Sequence, residues 1–330
     1  MNLREESIMQ SKQQSGFTLI ELMVSVLIGL FLLAGVFTIY LNSRDSQRVI
    51  DEEVRMMDNA RFALETIAYD LRHAGAYGHH NHEGQGNVFD EENFSTVTGQ
   101  CGGVGSNWVV DLNRPVFAVN DGSDYLTSCM ADWDQGDSIE VRYAVPLPTT
   151  TALADLIANN LYLQSVANYA YMFKGDTPPP ASKFADKPNI RFFQWQSRAY
   201  YISDSTDQAG DGVPSLRLVS LAPGPIVENS ILLRGVEDLQ IKIGLDTPLV
   251  GETQGDESAD TYKNPNDALV KWNQAISARV WLVVRSEQQY PDIDPTSTYE
   301  VAGVVRTNGD RFKRVVVSTS VRLRNANTGD

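Results

Sequence analysis

The sequence predicts an α+β protein in which one long N-terminal helix precedes an antiparallel β-sheet body. Three observations carry this. Residues 17–40 are apolar apart from a single ionisable side chain, Glu21, and contain no proline. Beyond Tyr40 the pattern turns amphipathic without a breaker until Gly75 and Gly78. From Trp108 onward, segments rich in Val, Ile, Tyr and Trp alternate with Asp-Gly and Gly-Asp turns.

The first helical half is long enough, at about 1.5 Å per residue, to cross a hydrocarbon layer of ~30 Å. Residues 1–16 before it are polar and lack an apolar core, and either Met1 or Met9 can be the start. An ordinary signal anchor is the plain alternative. A secretory signal would instead show a shorter apolar core followed by a small-residue cleavage site. Glu21 lies four residues into the apolar run, where a carboxylate costs at least a few kcal/mol unless paired or neutral. Cutting the chain between Gly16 and Phe17 would supply a partner, the new α-amino group of a neighbouring copy. Arg44 and Arg48 are offset by Asp45 and Asp51, so charge does not set the orientation.

The second helical half, 41–77, repeats Ile50, Val54, Met57, Leu64, Ala68 and Leu71 at spacings of three, four or seven. Nearly 60 residues of helix span ~85–90 Å. Next come Gly78-His79-His80-Asn81-His82-Glu83-Gly84, with three of the four histidines. His79, His80 and His82 are of metal-binding type, but their spacing matches no zinc motif, and a solvated loop is the simpler reading. Residues 90–105 read as an irregular connection into the body, 78–330.

Strands are expected at 108–110, 115–119 and 138–144. Asp132-Trp133-Asp134-Gln135-Gly136-Asp137 lacks the distal glutamate of an EF-hand and reads as a charged hairpin tip. Residues 152–160 suit a short helix, and Pro178-Pro179-Pro180 a stiff spacer beside an inserted lobe. In the late strands Val280, Leu282 and Val284 share one face, as do Val315, Val317, Thr319, Val321 and Leu323. Those apolar faces suit packing on the helix, with a basic face turned to solvent.

A formal net charge of −15 excludes nucleic-acid binding through phosphate neutralisation. Arg4 and Lys12 cancel Glu5 and Glu6, so the part after Gly16 carries all of it. Cys101 and Cys129 are the only cysteines. They form either one disulfide or two buried thiols, and a bridge over ~28 residues would contribute ~3 kcal/mol. No Gly-rich phosphate loop, GxSxG elbow or His-Glu-x-x-His is present, His73 reads as a helix-surface residue, and no cofactor is expected. A membrane-tethered hydrolase therefore has no residues to recommend it.

The string Gly16-Phe17-Thr18-Leu19-Ile20-Glu21 resembles the signal of type IV pilins and pseudopilins. Gly stands at the cut, Phe is the first mature residue and Glu the fifth. The resemblance implies a leader, 1–16, removed by an inner-membrane prepilin peptidase that also N-methylates Phe17. It also implies a lollipop shape and pairing of Glu21 with an adjacent subunit's amine. Toward the other end, Gly235-Val236-Glu237-Asp238-Leu239-Gln240, Arg285-Ser286 and the final Arg-Asn strand resemble the PilW family of type IV pilus minor pilins. The likeness is strong at both ends and weak over 84–197. It implies a priming or tip-proximal complex with other minor pilins, on which the major pilin polymerises, and in some systems a large tip-associated adhesin. A minor pseudopilin of a type II secretion system shares the signal. A membrane-anchored periplasmic binding protein or adhesin is the reading from a different class.

Overall fold

The computed structural model describes residues 16–79, 88–91, 101, 108–112, 114–122, 126, 128–130, 132–167, 169–224, 226–248, 255–267 and 270–325. Helix α1 spans Leu19–His73. The chain divides into two units, one ending at Glu52 and one starting at Glu53.

In the first unit the apolar helix is long and apolar enough to cross a membrane, and its side chains lie open. Leu30, Leu33, Phe37 and Ile39 are all more than 60% exposed, which no water-soluble helix sustains over such a length.

In the second unit α1 buries Met56, Ala60, Ala63, Leu64, Ile67, Ala68 and Leu71. This stripe begins later than the sequence pattern suggested. Ile50 and Val54 are half-exposed, and Ala60 and Ala63 are fully buried, where a larger side chain would hold the sheets away. The helix stops at His73, and Gly75 reverses the chain at φ 78°, a conformation that costs glycine nothing.

Among the described residues fourteen strands follow: β1 Val88–Glu91, β2 Val116–Val119, β3 Ser138–Pro146, β4 Leu161–Val166, β5 Tyr169–Lys174, β6 Arg191–Ser203, β7 Ser215–Ala222, β8 Ile226–Arg234, β9 Val236–Leu245, β10 Thr261–Lys263, β11 Ala275–Gln289, β12 Thr298–Val301, β13 Val304–Thr307 and β14 Phe312–Arg322. They form an eight-stranded sheet with path β1-β5-β4-β6-β3-β2, in which β7 joins β6 and β8 joins β7. A four-stranded sheet has order β10-β9-β11-β14, and β12 and β13 make a hairpin. The pairing is antiparallel except for β1 beside β5.

Several expectations change here. The connection at 90–105 is not wholly irregular, since β1 reaches into it. Residues 108–110 are one turn of 3-10 helix instead of a strand, and of 152–160 only Leu153–Asp155 is helical. The proline spacer separates no lobe: β4 and β5 before it and β6 after it share one sheet.

Two cores result. The first unites the α1 stripe with Ile241, Val280, Leu282 and Val321 of the smaller sheet and with Val141, Tyr200 and Leu216 of the larger one. The second lies on the other face of the larger sheet, around Trp108, Trp195, Met172 and Tyr201. Alternation along β6 supplies both, with Tyr200 and Ile202 to one side and Trp195, Ala199 and Tyr201 to the other.

Candidate functional site

Thr18 and Glu21 close the start of α1 reciprocally. The Glu21 carboxylate accepts the Thr18 N–H at 2.9 Å and its hydroxyl at 2.8 Å, and the Glu21 N–H donates to Thr18 Oγ1 at 3.3 Å. This is a capping box, legible as Thr-x-x-Glu, which serves two of the N–H groups a helix start leaves open. It fixes where the one acid of the apolar run is held. Phe17, just outside the helix, is 88% exposed. A Cβ added at Gly16 would meet nothing within 4 Å, so no packing among the described residues requires glycine there. The sequence thus brings Gly16, Phe17 and Glu21 together on one uncovered helix end.

The body is held to its helix by Asp70, a residue the sequence pattern did not single out. Its carboxylate is fully buried and accepts the Tyr143 hydroxyl at 2.7 Å, the Tyr200 hydroxyl, and Arg198 Nη1 at 3.1 and 3.3 Å. Burial, reinforced by the Asp70 charge, pushes both phenols well up, so they stay protonated and donate. His73 turns Nδ1 to the Tyr69 carbonyl at 2.8 Å and its ring lies against Tyr69 and Tyr143, a structural role.

Segment 132–137 is no solvated hairpin tip. It straps the larger sheet onto β9. The Asp137 N–H donates to the Leu239 carbonyl at 2.7 Å, and its buried carboxylate accepts the N–H groups of Ile241 at 2.6 Å and Asp121 at 3.0 Å. Gly136, at φ 79°, is required, because a Cβ would stand 2.6 Å from Asp238 Oδ1 and 2.7 Å from the Leu239 carbonyl. Asp132 accepts the hydroxyls of Tyr201 at 2.6 Å and Ser203 at 2.7 Å. Burial works against its anion, but these donors prevail and hold its pKa below the usual range.

The Gly235-to-Gln240 string is where the strap and the ion pairs converge. Glu237 accepts Arg314 Nε at 2.6 Å and Nη2 at 3.0 Å, and Arg285 lies 3.4 Å away. Asp238 pairs with Arg306 at 3.1 Å. The face expected to be basic and solvated is therefore partly turned inward. Arg314 is 8% exposed and Arg285 14%, whereas Arg279 and Arg322 do face solvent. Only the buried acid on β9, next to β11 and two strands from β14, could have foretold that.

Cys101 and Cys129 are joined as a disulfide with their Cα atoms 5.2 Å apart. Asn229 Nδ2 holds the Cys129 carbonyl at 2.9 Å, tying the bridge to β8. The His79 ring meets Ser165 at 3.2 Å and Phe193 edge-on, while His80 and His82 lie outside the described residues. Among the described residues no group of three or more His, Cys, Asp or Glu is placed to hold a metal ion.

The family model for the prokaryotic N-terminal methylation motif matches residues 11–37, which contain the Gly16–Phe17 junction and Glu21. The model for type IV pilus-assembly protein W matches residues 199–325, from the middle of β6 to just past β14. The chain is a type IV pilus-related pilin. Its apolar helix start is a prepilin-like anchor, suited first to the membrane and then to the pilus. Pilin-like families of this kind are structural rather than catalytic. Within this pilin the matched C-terminal region contains the Glu237 and Asp238 ion pairs, whereas Asp70 and the disulfide lie outside it. A type IV-like pilin from Thermus thermophilus aligns with 12% identity over 82% of this chain and 98% of its own, at a TM-score of 0.34. No curated protein matches the chain.

Proposed function

We propose that this pilin is a minor pilin, acting in the initiation of pilus assembly or in a tip-proximal complex with other minor pilins. It enters the inner membrane as a prepilin. A prepilin peptidase cuts between Gly16 and Phe17 and N-methylates Phe17. The uncovered helix then packs among the helices of other minor pilins and the major pilin, and the body is not an enzyme and needs no cofactor.

The observation that carries this reading is the lone carboxylate of Glu21, one turn from the cut, on a helix whose apolar faces are open. In water the Thr18 cap suffices to hold it. In an apolar bundle an anion costs several kcal/mol unless a cation joins it, and the amine freed at Phe17 of an adjacent subunit is such a cation. The open surroundings of Gly16 among the described residues suit an extended segment entering a peptidase.

Glu21→Ala tests the pairing. Processing should be intact, since the cut lies outside the helix. Incorporation into sheared pili, read by immunoblot against the membrane fraction, should fall at least tenfold. Full incorporation of the processed variant would remove Glu21 from the mechanism.

A further inference from the structure

Most exposed strand edges in the body are blunted. β1 and β2 have four residues each and β10 has three. β8 is longer, but it carries the exposed Glu228 and its pairing with β7 is broken by a register shift. The outer edge of β14 is different. This strand has eleven residues, pairs among the described residues only with β11, and has no charge and no proline over 315–321. Long uncharged edges are those that other chains extend.

The hydrogen-bond parity of β14 is fixed at both ends. The Leu323 N–H donates to the Ile276 carbonyl and the Lys313 N–H to Ser286 Oγ, so odd-numbered residues address β11. The backbone groups of Val316, Ser318 and Ser320 point the other way, and among the described residues they have no backbone partner. Val315 and Val317 pack at the margin of the first core, so an added strand would extend an apolar face already present. At the far end of the edge Arg322 is 57% exposed and pairs with the highly exposed Glu257, and Arg324 is exposed as well.

We infer that the β14 edge is a strand-addition site for another protein, taking an antiparallel segment with apolar residues at alternate positions and acidic residues at its start. The apolar positions continue the row of Val315 and Val317, and the acids meet Arg322 and Arg324. Backbone bonds supply the affinity, while alternation and charge supply the choice of partner. This goes beyond the minor-pilin assignment and does not rest on it, since loss of piliation in Glu21→Ala leaves the edge untouched.

The test uses the full chain in detergent and a synthetic peptide of two aspartates followed by alternating valine and threonine. The peptide should bind and slow amide hydrogen exchange over 315–321, with affinity falling as salt rises. Replacing its aspartates by lysines should weaken binding at least tenfold. Ser318→Pro removes only an outward N–H, which an edge strand tolerates, and should weaken binding tenfold with thermal unfolding unchanged. Should that variant fold poorly, Arg324→Glu serves instead: it should weaken binding several-fold and flatten the salt dependence. Absence of binding, equal affinity for the lysine peptide, or unaltered exchange over 315–321 would overturn the proposal. So would a dimer of the chain that protects this segment without peptide, because the occupant would then be a second copy.

Discussion

At the scale of single residues, buried carboxylates set the energetics. Replacing Asp70 with alanine strands Arg198 and two buried phenols, and removing one partner of such a network costs about 3 kcal/mol or more. Asp70→Ala should therefore lower the unfolding free energy of the full chain in detergent by that amount. Asp70→Asn, which keeps an acceptor, should lose less. Denaturant titration measures both. Asp137 adds a dependence on pH. Burial, against two backbone N–H donors and aided by Asp121 and Asp238, pushes its pKa from 3.8 up to about 7. The folded chain thus holds more protons than the unfolded chain between about pH 4 and 7, and stability falls as pH rises through that window. Asp238 is shifted the same way. Asp137→Asn should flatten this slope, gaining up to a few kcal/mol on the wild type between pH 4.5 and 7.5. A parallel slope in both proteins would refute the assignment. Neither residue was legible in advance. Asp70 sits on a helix face that reads as polar, and Asp137 belongs to a string that reads as a turn, because the donors that bury them come from β3, β6 and β9, far away in sequence. The Thr18–Glu21 cap, by contrast, is a local pattern and could have been read directly.

At the scale of elements, the sequence was a better guide. The long helix follows from its apolar run and 3.6-residue stripe, and its end from Gly75. β11 and β14 follow from alternation, with Val280, Leu282, Val284 and Val321 buried as the pattern requires. Residues 108–110 misled because Trp-Val-Val has strand composition, yet Trp108 and Val109 are buried in a single 3-10 turn that fills the second core. The disulfide is the clearest element-scale lever. Its loop spans 28 residues, and closing such a loop contributes ~3 kcal/mol in the chain-entropy model. A Cys101→Ser, Cys129→Ser double variant should unfold with a free energy lower by about that amount. Its loss should spare processing at Gly16, because the bridge belongs to the second core and the cut to the first unit.

At the scale of the whole molecule, two things escaped the sequence: the division of most strands between a larger and a smaller sheet, and the second core between the larger sheet and Trp108, Leu112, Leu126 and Met130. Both depend on β6, which serves a core on each face and pairs with β4 and β7 on one edge. No local pattern encodes so non-local an arrangement. The N-terminal segment, however, can be read locally, because the chemistry we propose for it is linear in the chain: a glycine at the proposed cut, Phe17 after it, and an acid one turn on. The central claim is that this acid works with an amine the chain does not possess until it is cut. Mass spectrometry of the N-terminal peptide of protein extracted from membranes and sheared pili tests it most directly. The account predicts a chain beginning at Phe17 with one added methyl group; a chain still carrying Gly16 and the residues before it would contradict it.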